Sequence, residues 1–247
     1  MIPVPSLGVV ALAGAVGLFW FFSGEAPAKV DLAATASSVA DDIDSASAAT
    51  ASDDEPTEAS STGTEGSWTI DTSVGEFTVH DATTATFVGF RVEEVLNSIG
   101  STTAVGRTPD VSGSITIEGT TLTSAEINAE LTSTVSDEAR REDSIQDALN
   151  TSSNPTATFV LTEPIDLGSG AAEGEAIAVT ATGELTINGV TNEVEVELDA
   201  QRIDGMILVA GVSDIAFADY DITTPTAPVV LSVEDNGTIE IQLWLSR

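Results

Sequence analysis

The chain contains no cysteine in its 247 residues. That absence excludes a disulfide framework, a thiolate metal site and a cysteine nucleophile, so any folded unit stands on its apolar core alone. Histidine is nearly absent as well, with His80 the single imidazole. A Ser-His-Asp triad would have to be built on His80, no Gly-x-Ser-x-Gly elbow accompanies it, and a histidine-rich metal centre is out of reach. His80 therefore reads as a structural residue at the end of a first strand. Positive charge is the third scarcity: 7 Lys and Arg stand against 40 Asp and Glu, a formal net charge of -33. Such a surface repels phosphate backbones and excludes nucleic acid as a partner. The acidity itself fits either a salty medium or simple solubility in an exported protein, and the sequence leaves both open. Aromatic residues make up only 5%, which leaves little stacking surface for sugars or nucleotides and favours an aliphatic chain as ligand.

One hydrophobic run is long. Ile2–Phe22 holds 21 positions without a charged residue, and a helix of that length spans about 30 Å, the hydrocarbon thickness of a bilayer. Pro3 and Pro5 fall in its first turn, where a missing N–H costs nothing, and Trp20, Phe21 and Phe22 suit the interface. Residues 1–24 are expected to form an uncleaved transmembrane anchor. The alternative is a cleaved signal, for which Ala26-Pro27-Ala28 offers a small-residue site although no Lys or Arg precedes the run. Both readings put the rest of the chain on the extracytoplasmic side of the cell membrane, single-pass if anchored and secreted if cleaved. Residues 25–66 are Ala, Ser, Thr, Asp and Glu with almost nothing large, and read as a disordered acidic linker that gives the domain reach. The clusters Asp41-Asp42, Asp44 and Asp53-Asp54-Glu55 lack the glycine turn and terminal glutamate of an EF-hand, so no metal is expected there.

From residue 67 to 247 the texture is alternation. Phe77 and Val79 are expected to open it, Phe87–Val95 forms an aromatic-rich strand, and Val111, Ile115 and Ile117 share one parity. Ile127, Ala129 and Leu131 lead into a charged stretch, Ser133–Phe159, that reads as a helix inserted between strands. Ile145, Ala148 and Leu149 make its apolar stripe, while Asp137, Glu138 and Arg141 read as a solvated face with Asp137 and Glu138 in the first turn. Ala157–Leu161 and Ile177–Ile187 come next. Asn188-Gly189 then joins two alternating runs as a type I′ hairpin turn. In the second arm Val194, Val196 and Leu198 alternate with Glu193, Glu195, Glu197 and Asp199, so a slip of one residue would bury four charges. Ile207–Ala216, Val229–Val233 and Ile239–Leu245 complete about eight main strands, a number that suits an up-and-down barrel or a two-sheet sandwich. Asp219 and Asp221 beside Tyr220 are the carboxylate pair a hydrolase would use, although solvated loop charge explains them as well.

These landmarks, in this order, resemble the YceI family of lipid- or polyisoprenoid-binding proteins over Trp68–Leu245. They are Trp68-Thr69-Ile70-Asp71, Glu94 within Phe87–Val95, Thr103-Ala104-Val105-Gly106-Arg107-Thr108 leading into Val111-Ser112-Gly113-Ser114-Ile115, and Ser136-Asp137 with Arg140-Arg141. Asn154-Pro155-Thr156-Ala157-Thr158-Phe159, Gly183–Thr191 and Phe217-Ala218-Asp219-Tyr220 complete the set. One departure is Arg141-Glu142, where the family usually carries Arg-Asp. The resemblance implies an all-β fold: an extended, antiparallel, eight-stranded lipocalin-like barrel with a helical insertion and an apolar tunnel. It implies a binding protein rather than an enzyme, with no metal and no cofactor beyond a bound isoprenoid, isoprenoid quinone or fatty-acid-like chain. The tunnel wall would draw on Phe77, Val79, Phe87, Ile115, Ile117, Leu131, Phe159, Ile187 and Phe217, with Ile145 and Leu149 facing the mouth. The expected partners are that lipid and the membrane, with a homodimer open. The rivals are a surface β-sandwich for adhesion with a solid core, and a hydrolase built on His80 or a carboxylate pair.

Overall fold

The structure, a computed structural model, describes residues 26–37, 63–80, 83–225 and 228–247. The expected anchor, Ile2–Phe22, and most of the expected linker lie outside the described residues. Among the described residues no helix is long and apolar enough to cross a membrane.

Among the described residues thirteen strands run in chain order as β1 (Gly66–Asp71), β2 (Phe87–Leu96), β3 (Gly100–Thr108), β4 (Val111–Glu118), β5 (Thr121–Glu130), β6 (Val135–Ser136), β7 (Thr156–Leu161), β8 (Ile165–Asp166), β9 (Ile177–Ile187), β10 (Val190–Ile203), β11 (Met206–Ala216), β12 (Val230–Val233) and β13 (Asn236–Ser246). Helix α1 (Glu142–Ala148) lies between β6 and β7, and α2 (Gly168–Glu173) between β8 and β9. Eight strands close a ring in the order β1-β4-β5-β7-β9-β10-β11-β13, and β13 returns to β1 through Thr69↔Ser246 and Ile70↔Leu245. Each of these pairings is antiparallel. Where β1 ends, β2 takes over the same edge of β13, from Gln242↔Phe87 to Thr238↔Arg91, and carries β3 beside it. Closure leaves the ring without an open edge and gives it an inside and an outside, unlike a sandwich.

The hairpin turn at Asn188-Gly189 forms as its chemistry demands, with φ of 52° and 77° at the two residues. In β10, Glu193, Glu195, Glu197 and Asp199 are exposed while Val194, Val196 and Leu198 face inward. One end of the barrel is filled. Trp68, Ile117, Leu122, Ile207, Leu243 and Leu245 pack into a solid cluster there, beside the hairpin turns 119–120 and 204–205. The opposite end carries α1, the turn at Asn188 and residues 217–225 and 228–230.

Three sequence expectations are corrected. Phe77 and Val79 do not open a strand, because residues 72–80 and 83–86 form an irregular excursion over the outside of the barrel, and His80 is exposed within it. The strands there are β1 and, after β2, β3. The sequence of β3, Gly-Ser-Thr-Thr-Ala-Val-Gly-Arg-Thr, lacks the large alternating residues that flag a strand. Asp137 and Glu138 do not start the helix. A 3-10 turn over Ala139–Arg141 intervenes, and Glu142 and Asp143 occupy the first turn of α1.

Residues 26–37, within the stretch read as linker, lie against the outer face of β2, β3 and β13, and residues 32–37 are helical. Leu32 and Ala36 pack on the fully buried Leu208 and Trp244. The Thr35 hydroxyl donates to Gln242 Oε1 at 2.8 Å, and Gln242 Nε2 in turn donates to the carbonyls of Thr83 and Ala85 in the excursion. Beneath this cover lies an ion cluster. Glu240 Oε2 is 3.2 Å from Arg107 Nη2 and Glu240 Oε1 is 3.6 Å from Arg91 Nη1. The Arg107 guanidinium rests over the Phe87 ring, 4.5 Å from its centroid. Burial pulls the Arg107 pKa down and the Glu240 carboxylate pulls it back.

Candidate functional site

Inward-facing residues alternate along each strand, so the interior inherits the apolar parity of the sequence. Above the filled end those side chains do not meet across the barrel. They enclose a cavity of about 530 Å³, within the range of roughly 300–1,000 Å³ that holds one small-molecule ligand. Its wall is aliphatic: Val88, Val92 and Leu96 from β2, Leu185 and Ile187 from β9, Val196 and Leu198 from β10, Ile239, Ile241 and Leu243 from β13. Small residues keep it hollow. Ala125, Ala129, Ala157 and Ala181 stand where larger side chains would meet the opposite wall. Gly183 makes room for a neighbour, since a Cβ there would sit 2.4 Å from the Phe159 ring.

The mouth is built from α1, Leu96, Ile222, Thr224, Pro225, Val229 and Val230. Ile145 and Ala148 of α1, with Leu149 at its C-cap, turn toward the cavity, as their spacing predicts. Asn188 braces this end: its side-chain oxygen accepts from Asn150 and Asn154, and its Nδ2 donates to the Tyr220 carbonyl at 3.1 Å. Asn192 Nδ2 donates to the Asp219 carbonyl at 2.6 Å. The turn at Asn188-Gly189 thus ties the end of the helical insertion to the 3-10 turn Phe217–Tyr220.

Of the residues the sequence nominates, seven border the cavity: Ile115, Leu131, Ile145, Leu149, Phe159, Ile187 and Phe217. Four do not. Phe87 points to the outer face beneath Arg107, Phe77 and Val79 lie in the excursion, and Ile117 belongs to the filled end. A register shift between Thr116 and Ile117 marks the point where β4 leaves the cavity wall. His80 is remote from the cavity, Asp219 and Asp221 are exposed at the rim, and Tyr220 is buried with Leu185, Ile187 and Ile215.

The polar group that sequence reasoning missed sits at the mouth. Glu94 borders the cavity with Arg140 and Arg141, and Arg141 bridges Glu94 and Asp137, meeting Asp137 Oδ1 at 3.0 Å. The Arg141 and Asp137 side chains are 18% and 16% exposed, so this is no solvated face: the bend at Asp137 and the 3-10 turn Ala139–Arg141 fold the two together under the chain. Asp137 Oδ1 also accepts from the Val105 backbone N–H. Glu142, at the departure from the family pattern, does not hold Arg141; it faces the Ser136 N–H instead. Glu94 is the one acid in an inward row of Val88, Phe90, Val92 and Leu96, and that interruption is the signal in the sequence.

Burial raises the Glu94 pKa from 4.5, although Arg141 pulls it the other way. The native state therefore keeps this proton to higher pH than the unfolded chain does. The stability this contributes is full below 4.5 and is lost as pH rises through the native value. Glu94→Gln is expected to flatten that decline, with Asp137 still holding Arg141. Urea midpoints of both proteins across acidic to neutral pH check this, and parallel curves would show that Glu94 is ionised at no cost.

A family model described as a YceI-like domain matches residues 68–245. Among solved structures, a polyisoprenoid binding domain from Saccharophagus degradans, implicated in plant cell wall breakdown, is similar at 19% identity and a TM-score of 0.54, covering 72% of this chain and 97% of that one. BcnA of Burkholderia cenocepacia is similar at 19% identity and a TM-score of 0.49, covering 64% and 95%. A YCEI protein of Campylobacter jejuni is similar at 22% identity and a TM-score of 0.42, covering 56% and 82%. Among curated proteins nothing matches.

Proposed function

The chain belongs to the YceI-like family, and from that premise we propose that it is a membrane-tethered, extracytoplasmic binding protein for one long apolar ligand. The ligand is an isoprenoid, an isoprenoid quinone or a fatty-acid-like chain, held for transport, storage or stress protection. The observation that carries this reading is the cavity: about 530 Å³ of space walled by aliphatic side chains, with its ionic group confined to the mouth. An apolar tail enters such a space without leaving any wall group unpaired, and each buried methylene contributes about 0.8 kcal/mol. About ten methylenes therefore contribute about 8 kcal/mol, of which several kcal/mol offset the cost of association, so affinity rises steeply with every further methylene the cavity takes in. A head group stops where Glu94 and Arg141 offer one acceptor and one donor. The neighbour from Saccharophagus degradans, a polyisoprenoid binding domain, shares the fold at 19% identity and lends its ligand class to the proposal.

The solid-core sandwich predicts no internal space, and the cavity counts against it. Binding is favoured over catalysis because the wall presents apolar surface and His80 is remote from it. Mass spectrometry of organic extracts from protein expressed beside a lipid-rich membrane is the test. A stoichiometric polyprenyl, quinone or acyl species is the expected result. A clean apo protein that also takes up no such lipid on add-back would overturn the proposal.

A further inference from the structure

The ordered segment 26–37 has a direction. Its Pro27 carbonyl accepts from Arg91 Nη1 at 2.8 Å, and Arg91 stands opposite Thr238 of β13. The Ala28 carbonyl accepts from Arg107 Nη2 at 2.7 Å, and the Val30 N–H donates to Glu240 at 3.2 Å. Thr35 reaches Gln242, and Leu32 and Ala36 reach Trp244. The Arg91 guanidinium itself reaches Glu240, so from residue 27 to residue 36 the chain descends β13 from the level of Glu240 to that of Trp244. Glu240 is nearer the mouth end and Trp244 nearer the filled end, so the Ala26 end of the segment points toward the mouth.

Three residues, Ser23, Gly24 and Glu25, separate Phe22 from Ala26. At about 3.3–3.6 Å per residue the four steps from Phe22 to Ala26 span at most about 14 Å. From Glu240 to Arg247 at the filled end the chain runs about 24 Å along the strand, or about 17–20 Å along the barrel axis at a strand tilt of about 35–45°. The leash is shorter than the distance it would have to cover if the filled end faced the membrane. The next connection agrees: residues 38–62 join the filled-end terminus of the segment to Gly63, whose carbonyl accepts from Arg247 at that same end. The acidic stretch therefore starts and finishes away from the mouth, and it does not separate the barrel from Ile2–Phe22.

The rim supplies a second observation. The two most exposed large apolar side chains among the described residues are Leu231 at 66% and Val229 at 41%. Both belong to the segment along β12 that edges the mouth, and Val229 also borders the cavity. Asp143, Asp147, Glu234 and Asp235 surround the same end, so charge does not draw this rim toward anionic lipid; the short leash holds it there.

We propose that the segment 26–37 is a strap that holds the barrel mouth-first against the lipid surface entered by Ile2–Phe22, with Val229 and Leu231 as the apolar contact. A tail can then pass between bilayer and cavity without crossing bulk water. This rests on reading Ile2–Phe22 as an anchor. The absence of native cysteine makes the test direct. Leu231→Cys at the mouth and Glu118→Cys at the filled end are labelled with a thiol fluorophore, and the full chain is reconstituted in phosphatidylcholine vesicles carrying a nitroxide headgroup lipid. Quenching at position 231 is expected to exceed that at 118 several-fold. Inserting fifteen Gly and Ser residues, about 20 Å of added root-mean-square reach, between Glu25 and Ala26 is expected to bring the two close to equality while the thermal midpoint stays put. Failure to float with the vesicles overturns the anchor reading and the strap with it. Flotation with equal quenching, or with a difference that survives the insertion, overturns the strap orientation and leaves the anchor standing.

Discussion

Ala181→Phe is expected to abolish ligand retention while the barrel remains folded. Ala181 is 1% exposed, borders the cavity and stands opposite Val196 across β9 and β10. The substitution adds six carbons to the interior. In a filled core that overpacking would cost about 1–3 kcal/mol, but here the ring projects into space that the wall leaves free. It takes the place of about four to six ligand methylenes, a loss of about 3–5 kcal/mol at 0.8 kcal/mol each, or roughly 10²–10⁴ in Kd. Titration with a fluorescent polyprenyl or acyl probe reads the loss, and thermal unfolding reads the fold. Val160→Phe is the control, since Val160 is 38% exposed on the outside of β7 and its change adds apolar bulk without touching the cavity. Equal loss in both variants would mean the probe binds the surface, and undiminished binding to Ala181→Phe would remove the cavity from the mechanism.

The reason that Ala181 can be chosen at all is that half of the wall is legible in the sequence. In β10 a carboxylate on every outward position makes burial of the other parity compulsory, and the Asn188-Gly189 turn fixes the register of β9 against it. The stripe Ile145, Ala148, Leu149 likewise has only one direction to face. β2 is different. Its burial runs almost without interruption from Phe87 to Leu96, because the ring interior covers one face and the strap and the excursion of residues 72–80 and 83–86 cover the other. Alternation then carries no information on which side is the cavity, and the large aromatic Phe87 is taken for wall when it is packing for Arg107. The same cover hides the excursion, where Phe77 and Val79 are spaced like a strand but pair with none. Charge misleads in a complementary way. Asp137 and Arg141 have a spacing that suits a solvated helix, and only the inward parity of Glu94 reveals that a cation is needed inside the mouth.

The strap's hold depends on charges whose removal has the largest expected cost in the molecule. Glu240 is fully buried and lies between Arg107 and Arg91. Glu240→Leu leaves two guanidinium groups under the strap with only the Pro27 and Ala28 carbonyls as acceptors, and Arg107 Nε and Nη1 already have no hydrogen-bond partner among the described residues. Breaking a buried ion pair from one side costs about 3–5 kcal/mol, a fall of about 6–20 °C in the thermal midpoint for a domain of this size. Replacing all three charges, as Arg91→Met, Arg107→Met and Glu240→Leu together, is expected to recover most of that loss, because apolar groups of similar volume substitute well for a buried cluster. The recovery cannot extend to the strap. Its two carbonyls lose their donors, and at the buried Pro27 the unpaired acceptor costs about 1–3 kcal/mol, enough to lift a short segment whose own apolar contacts are few. Lys29, the chain's single lysine, then reports the release: trypsin is expected to cut after it faster in the triple variant than in the parent at matched thermal stability. Unchanged cutting there would mean that Leu32 and Ala36 suffice to hold the strap, and that the arginines serve the barrel alone.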